Sequence, residues 1–247
     1  TKVGIYALFR TFTLMFPLNQ DVTHLLIGIM AGVTIVAGCM GALSGRDVRT
    51  IATYNVIIGV GFILIGLASG TETGFAGAIY YLVHDMLAKA LLFLILGTVV
   101  YVTGETIVKN MSGLIRNYPL FGWIYFLVMC ALAGIPPLSG FLGKVLIGQG
   151  AIEGQNYVLL TLGFASSVIV LYSLLRIFLA SFFGETTISE ADKKPIPKLA
   201  MVSFVLLAII IISIGIAAEG IAPFVEDAAR TLANPSIYIE AILGDME

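Results

Sequence analysis

Charge is scarce in this chain. Only 11% of its 247 residues are Asp, Glu, Lys or Arg, while 59% are hydrophobic; a soluble domain carries about 25% charged and about 45–50% apolar residues. So few polar side chains cannot cover a folded surface in water, which excludes an ordinary soluble globular protein and points to lipid as the solvent. Cysteine is equally sparse. Cys39 and Cys130 both fall in apolar stretches and read as small buried hydrophobes, and no CxxC or Cys/His cluster is present to bind a metal or an iron–sulfur centre. The sequence has no phosphate loop, no HExxH and no Ser or Cys nucleophile elbow. The glycines of GVGFILIGLASG lack the strand–turn–helix setting of a dinucleotide fingerprint and read instead as permitting close helix packing. Basic residues are scattered, so nucleic acid is not implied, and no cofactor is expected.

What the sequence has is length of apolar run. A spanning helix needs about 20 predominantly apolar residues to cross roughly 30 Å of hydrocarbon. Such runs cover about 23–45, 50–70, 74–101, 157–183 and 199–222, and a further one, 119–152, is interrupted by Pro and Gly. The apolar segment 1–17 opens on Thr1 without a basic n-region or cleavage site. It is therefore read as the last part of a helix rather than a signal peptide, and the chain as a piece of a longer protein. The expected fold is all-α, a polytopic transmembrane bundle over 1–222 followed by an amphipathic tail, 223–247. Asn234–Pro235 divides that tail, which reads either as an interfacial helix or as a partner-docking arm.

Threading these runs alternately through a bilayer separates the charges. Arg46, Arg49, Lys109, Arg116, Lys193, Lys194 and Lys198 fall on one side; Asp21, Glu72 and Glu153 fall on the other, with no Lys or Arg there before Arg230 in the tail. Lys and Arg in short loops mark the cytoplasmic face. The separation holds only if 119–152 is one interrupted span, an independent reason to treat it so.

The informative residues are titratable groups inside apolar runs, where they are costly and usually face a bundle interior or a wet cavity. In YYLVHDMLAKALLF, Asp85 and Lys89 are four apart and share a helix face, with His84 on the flank. They read either as a static buried pair or as groups that exchange a proton. In AGIPPLSGFLGKVLIGQG, Pro136 and Pro137 cannot continue a helix, and Gly134 and Gly140 loosen it further. Lys144 follows by about one turn. Irregular backbone at membrane depth survives only where it lines protein or water, and a broken helix beside a charge is a transporter signature; the bland alternative is a loop between two re-entrant pieces. Lysine, unlike arginine, can give up its proton in such a site. Lys2 reads either as a snorkelling interfacial lysine or as part of the same set. His24, at the outer end of 23–45, reads as an interfacial residue or an outer proton relay. Arg176 reads as snorkelling at an inner helix end.

TKVGIYALFRTF, RDVRTIATYNVIIGVGFILIG, GAIYYLVHDMLAKALLFLILG and AGIPPLSGFLGK, in this order and spacing, resemble the proton-antiporter-like membrane subunits. This superfamily embraces the large subunits of Mrp-type Na+/H+ antiporters, the antiporter-like subunits of respiratory complex I, and membrane-bound hydrogenases. HDMLAKALLF with ATYNVIIGVG is most similar to the Mrp type. The resemblance implies fourteen helices with two inverted five-helix repeats, of which this chain is similar to the end of the first repeat, the whole second repeat and the last helix. Lys2 takes the place of the lysine that links two half-channels, Lys89 that of the KALLF lysine, and Lys144 that of the broken-helix lysine. Asp85 stands where complex I subunits often have His. The implied function is H+ translocation along Lys2, His84, Asp85, Lys89 and Lys144, with Na+ exchange in a hetero-oligomeric complex in a prokaryotic cell membrane; a respiratory or hydrogenase membrane arm is the alternative. Its partners are other membrane subunits, H+ and Na+, and the lipid bilayer. The chain itself is expected to be a transport subunit rather than an enzyme.

Overall fold

The computed structural model describes residues 1–15, 20–185 and 193–243. The end of the 1–17 run, much of the linker expected over 184–198 and the last tail residues thus lie outside the described residues. Among the described residues the regular structure is helical, apart from an isolated antiparallel bridge between Asp47 and Ile107.

Local chemistry sets the helix ends. Helix α1 (Lys2–Leu14) precedes α2 (Gln20–Ser44), which turns back through Arg46 into α3 (Val48–Ser69). Asp47 caps α3, its Oδ1 accepting from the Arg49 amide at 2.7 Å and the Thr50 amide at 3.3 Å, which satisfies donors that every helix N-terminus leaves open. Thr71 does the same for α4 (Glu72–Thr103), accepting from the Gly74 amide at 3.0 Å. A short helical turn, α5 (Leu114–Asn117), leads into α6 (Pro119–Ala133), which begins on a proline, where the missing N–H costs nothing. Then come α7 (Ser139–Glu153), α8 (Tyr157–Phe182) and α9 (Lys198–Ile216).

Among the described residues, five helices are long and apolar enough to cross a membrane: Val22–Ser44, Val48–Ser69, Glu72–Thr103, Tyr157–Phe182 and Lys198–Ile216. Helices α6 and α7 have 15 residues each, about 22 Å apiece at 1.5 Å per residue, too short to span alone. Together, across the break at 134–138, they make one interrupted crossing. The outside of the bundle is apolar: Val22, Leu25, Ile29, Met30 and Val33 of α2 are all exposed, a surface suited to lipid rather than water. The chain is a multi-spanning membrane protein.

Helix α4 is the hub, packed by α3, α6, α7, α9 and α10. The run 199–222 does not form one helix. Helix α9 stops at Ile216, a 3-10 turn spans Ala218–Gly220, and α10 (Ala222–Ala233) starts with Pro223 in its first turn, because Glu219-Gly220 and a proline cannot extend an apolar helix. Helix α10 lies against α4 and α1 with Val225 and Ala229 buried, and α11 (Pro235–Leu243) follows. Arg176 has a further role beside its sequence reading as a snorkelling residue. Its half-buried head also donates to the Leu43 carbonyl at 3.0 Å and to the Gly45 carbonyl, covering the open end of α2.

On the basic side, the α2–α3 turn is latched to the segment after α4: the Val48 amide donates to the Thr106 carbonyl and the Val108 amide to the Arg46 carbonyl, both at 3.0 Å. Partial burial pushes the Asp47 carboxyl up, but hydrogen bonds from the Thr106 side chain and the Arg49 and Thr50 amides, with the nearby Arg49 charge, outweigh it and hold the group below its usual range. Asp47→Ala is expected to cost about 1 kcal/mol, seen as a lower thermal midpoint in detergent. A depressed carboxyl contributes its stability above the unfolded-state value near 3.8 and loses it as pH falls through the folded value. Wild-type and variant midpoints should therefore differ at pH 7 and converge in acid.

Candidate functional site

Near the midpoint of the 32-residue α4, Asp85 is fully buried and pairs with two lysines. Lys2 of α1 donates to Oδ2, and Lys89, one turn along α4, lies 2.7 Å from Oδ1. That second contact is one of charge: among the described residues Oδ1 has no donor in hydrogen-bond alignment. Lys89 reaches on to the Val56 carbonyl of α3 at 3.4 Å. Space for the pair comes from Gly59 on α3, where a Cβ would overlap Lys89 Nζ and stand 2.7 Å from Asp85 Oδ1.

The break is built around Lys144. In an α-helix the carbonyl of residue i is closed by the amide of i+4. The amides that would close Leu132 and Ala133 belong to Pro136 and Pro137, which have none. Those two carbonyls take the Lys144 ammonium instead, at 2.9 Å and 2.8 Å, and Ser167 Oγ of α8 accepts the third proton at 2.9 Å. All three donors of the ammonium are used, and the negative end of the α6 dipole points at it. Gly134 ends α6 at φ 86, and a Cβ there would stand 2.8 Å from Lys144 Cδ, so both the left-handed turn and the lysine stem require glycine. The Phe62 and Tyr81 rings lie 5.6 Å and 5.9 Å from the ammonium. Lys144 is 4% exposed, and among the described residues no carboxylate lies within ion-pair distance of it.

His84 lies between the two groups. It is fully buried, its Nδ1 2.7 Å from Ser139 Oγ at the start of α7. Nε2 has no partner among the described residues and faces Gly140, where a Cβ would approach it to 2.8 Å. The charges of Lys2, Asp85, Lys89 and Lys144 all reach His84. The structure thus brings together Lys2, His84, Asp85, Lys89 and Lys144 around the Gly134–Gly140 break. His24 is elsewhere: its ring abuts Gly70 at the C-terminal end of α3, eleven residues and about 16 Å along the helix from Gly59. Sequence reading did not single out Ser139, Ser167 or Gly59. Ser139 lies in the break itself and Gly59 opens the glycine-rich stretch read as permitting close helix packing; Ser167 carries no local signal.

Comparison with known proteins places this geometry. A family model described as NADH:quinone oxidoreductase/Mrp antiporter, TM, matches residues 1–171. A Na(+)/H(+) antiporter subunit of Bacillus subtilis is 42% identical over 243 residues, 98% of this chain and 49% of that protein. The chain spans about half the length of the curated relatives it matches. A chain in the structure of the Mrp complex from Dietzia sp. superposes with a TM-score of 0.90 at 26% identity, over 99% of this chain and 53% of that one. A chain of respiratory complex I from Thermus thermophilus superposes with a TM-score of 0.85 at 25% identity, over 94% and 49%.

Asp85→Asn leaves Lys2 and Lys89 buried without their counter-charge. It is expected to destabilise the protein by about 3 kcal/mol, the usual cost of breaking a buried pair on one side. Asp85→Asn with Lys89→Met should recover more than half of that loss. Thermal unfolding of the detergent-solubilised protein measures both, and equal midpoints for the single and double variants would show that the stranded Lys89 charge is not the source of the loss.

Proposed function

The chain belongs to the NADH:quinone oxidoreductase/Mrp antiporter membrane family, and on that premise we propose that it forms an ion-translocating half of a cation/proton antiporter subunit. Protons move along Lys2, Asp85, Lys89, His84 and Lys144, coupled to Na+ exchange in the assembled complex. The observation that carries this reading is the state of Lys144: a buried ammonium held, among the described residues, by a helix end and a hydroxyl. A lysine kept for packing is paired with a carboxylate; one held by dipoles can lose its proton and leave no buried anion unpaired. The proton on Lys144 and the ion pair on Asp85 are electrically linked, so a proton leaving one site alters the other.

Residues 1–222 form the transport module and 223–247 a peripheral amphipathic tail. The partners are other membrane subunits in a prokaryotic cell membrane, and His24, at the outer face beside Glu72 and Glu153 in the alternating topology, serves as an entry relay. The chain is a transport component, not an enzyme. The likeness to complex I supports one alternative, the same pathway driven by electron transfer in a redox partner.

The test is Na+-dependent dissipation of ΔpH in inverted vesicles carrying the complete complex. Lys144→Ala is expected to abolish it at unchanged assembly. Lys144→Arg keeps the charge but cannot release the proton, and is expected to fail as fully. Retained exchange in Lys144→Arg would falsify the proton-carrying role. A wild-type complex silent to Na+ but acidifying vesicles on NADH or hydrogen oxidation would favour the redox-driven alternative.

A further inference from the structure

Ser139 belongs to no charge cluster, yet it is as buried as the residues around it, at 1% exposure. It is the first residue of α7, and its hydroxyl meets His84 Nδ1 at 2.7 Å. Its backbone is held from the opposite side. Helix α9 passes so close to the break that a Cβ at Gly215 would stand 2.5 Å from the Pro137 carbonyl oxygen and 2.6 Å from the Ser139 amide nitrogen. The neighbouring Ile214 carbonyl accepts from the Tyr80 hydroxyl at 2.8 Å. Tyr80 and His84 are one turn apart on the same face of α4. The contacts close a ring: Tyr80 grips α9, α9 rests on the break, and the break returns through Ser139 to His84.

The ring fixes one nitrogen of His84 and leaves the other alone. Nε2 is fully enclosed without a partner among the described residues, which a bond kept only for packing does not explain, since buried polar atoms are normally paired. The groups whose charge reaches the imidazole are Lys2 from α1, Asp85 and Lys89 from α4 and Lys144 from α7, and the Tyr81 ring lies 5.5 Å away. We propose that Ser139 is a positioning residue: its hydroxyl ties His84 Nδ1 to the broken helix, so that the proton His84 exchanges with its charged neighbours enters and leaves at Nε2. The proton bound at Nε2 comes from one neighbour and departs to another, while Nδ1 keeps its own hydrogen and donates it to Ser139 Oγ throughout. This rests on the reading of His84 as part of the proton path.

The experiment uses the complete complex with Ser139→Ala, His84→Gln and the double variant, each assayed for assembly, for Na+-dependent ΔpH dissipation, and by 15N NMR of labelled histidine. The His84 signals are those lost in His84→Gln. Ser139→Ala is expected to move the Nδ1 resonance and to slow exchange by about tenfold, with no further effect in the His84→Gln background, because the two residues act as one unit. Gly215→Ala, which presses on the Ser139 backbone without touching the hydroxyl, should move the same resonance, so the contact can be read even if Ser139→Ala assembles poorly. An unmoved Nδ1 resonance, or losses that multiply in the double variant, overturns the proposal. A wild-type complex without Na+-dependent exchange counts against the antiporter reading alone; the resonance still decides whether Ser139 holds His84.

Discussion

Two missing amide hydrogens organise this site. Pro136 and Pro137 stand where the helix would otherwise close the Leu132 and Ala133 carbonyls, and those carbonyls are thereby free to hold Lys144. In a bilayer an open carbonyl and an unpaired charge are both costly, the charge more so, so each problem answers the other. The ammonium satisfies the broken helix end, and the helix end solvates the ammonium. The rest follows from keeping that exchange dry and in register. Gly134 turns the chain out of the way of the lysine stem, Ser167 takes the third proton, and Phe62 and Tyr81 wall it in with ring faces.

Next to this dipole-held lysine, α4 carries a group of the opposite design. Asp85 faces Lys2 and Lys89 together, one buried anion against two cations, and Gly59 lets α3 close over them. With one carboxylate the cluster cannot neutralise both lysines, so a charge change at Lys144 is felt there rather than screened. Asp85 itself is fully buried and faces the break.

Much of this was legible in the sequence, and for identifiable reasons. Composition and run length reveal the membrane class, and the prolines with Gly134 reveal the interruption, because each acts on its own backbone. Lys144, Asp85 and Lys89 stand out because charge inside an apolar run has no cheap explanation. What stayed hidden depends on tertiary approach. Ser167 is an ordinary small residue until α8 is laid against the break; Gly59 is one glycine among several until α4 faces it; and Arg176 resembles a snorkelling arginine until the end of α2 is placed under it. The run 199–222 misled because apolar side chains continue past Ile216, where the helix itself has already stopped before Glu219, Gly220 and Pro223. Hydropathy records solvent, not backbone continuity.

The two kinds of lysine also explain why the site needs both a broken helix and an ion pair. A lysine paired to a carboxylate cannot discharge without stranding the anion, and a lysine in plain hydrocarbon cannot charge at all. Lys144, held by carbonyl dipoles, tolerates either state, because dipoles left behind by a departing proton are cheaper to bury than a charge. Lys89, tied to Asp85, tolerates change only if Lys2 remains to hold the carboxylate. On the proposed pathway, a proton arriving at a neutral Lys144 raises the positive charge facing Asp85 and its two lysines, and the least costly response is for one of those lysines to yield its own. Transfer between the two sites then follows from charge balance.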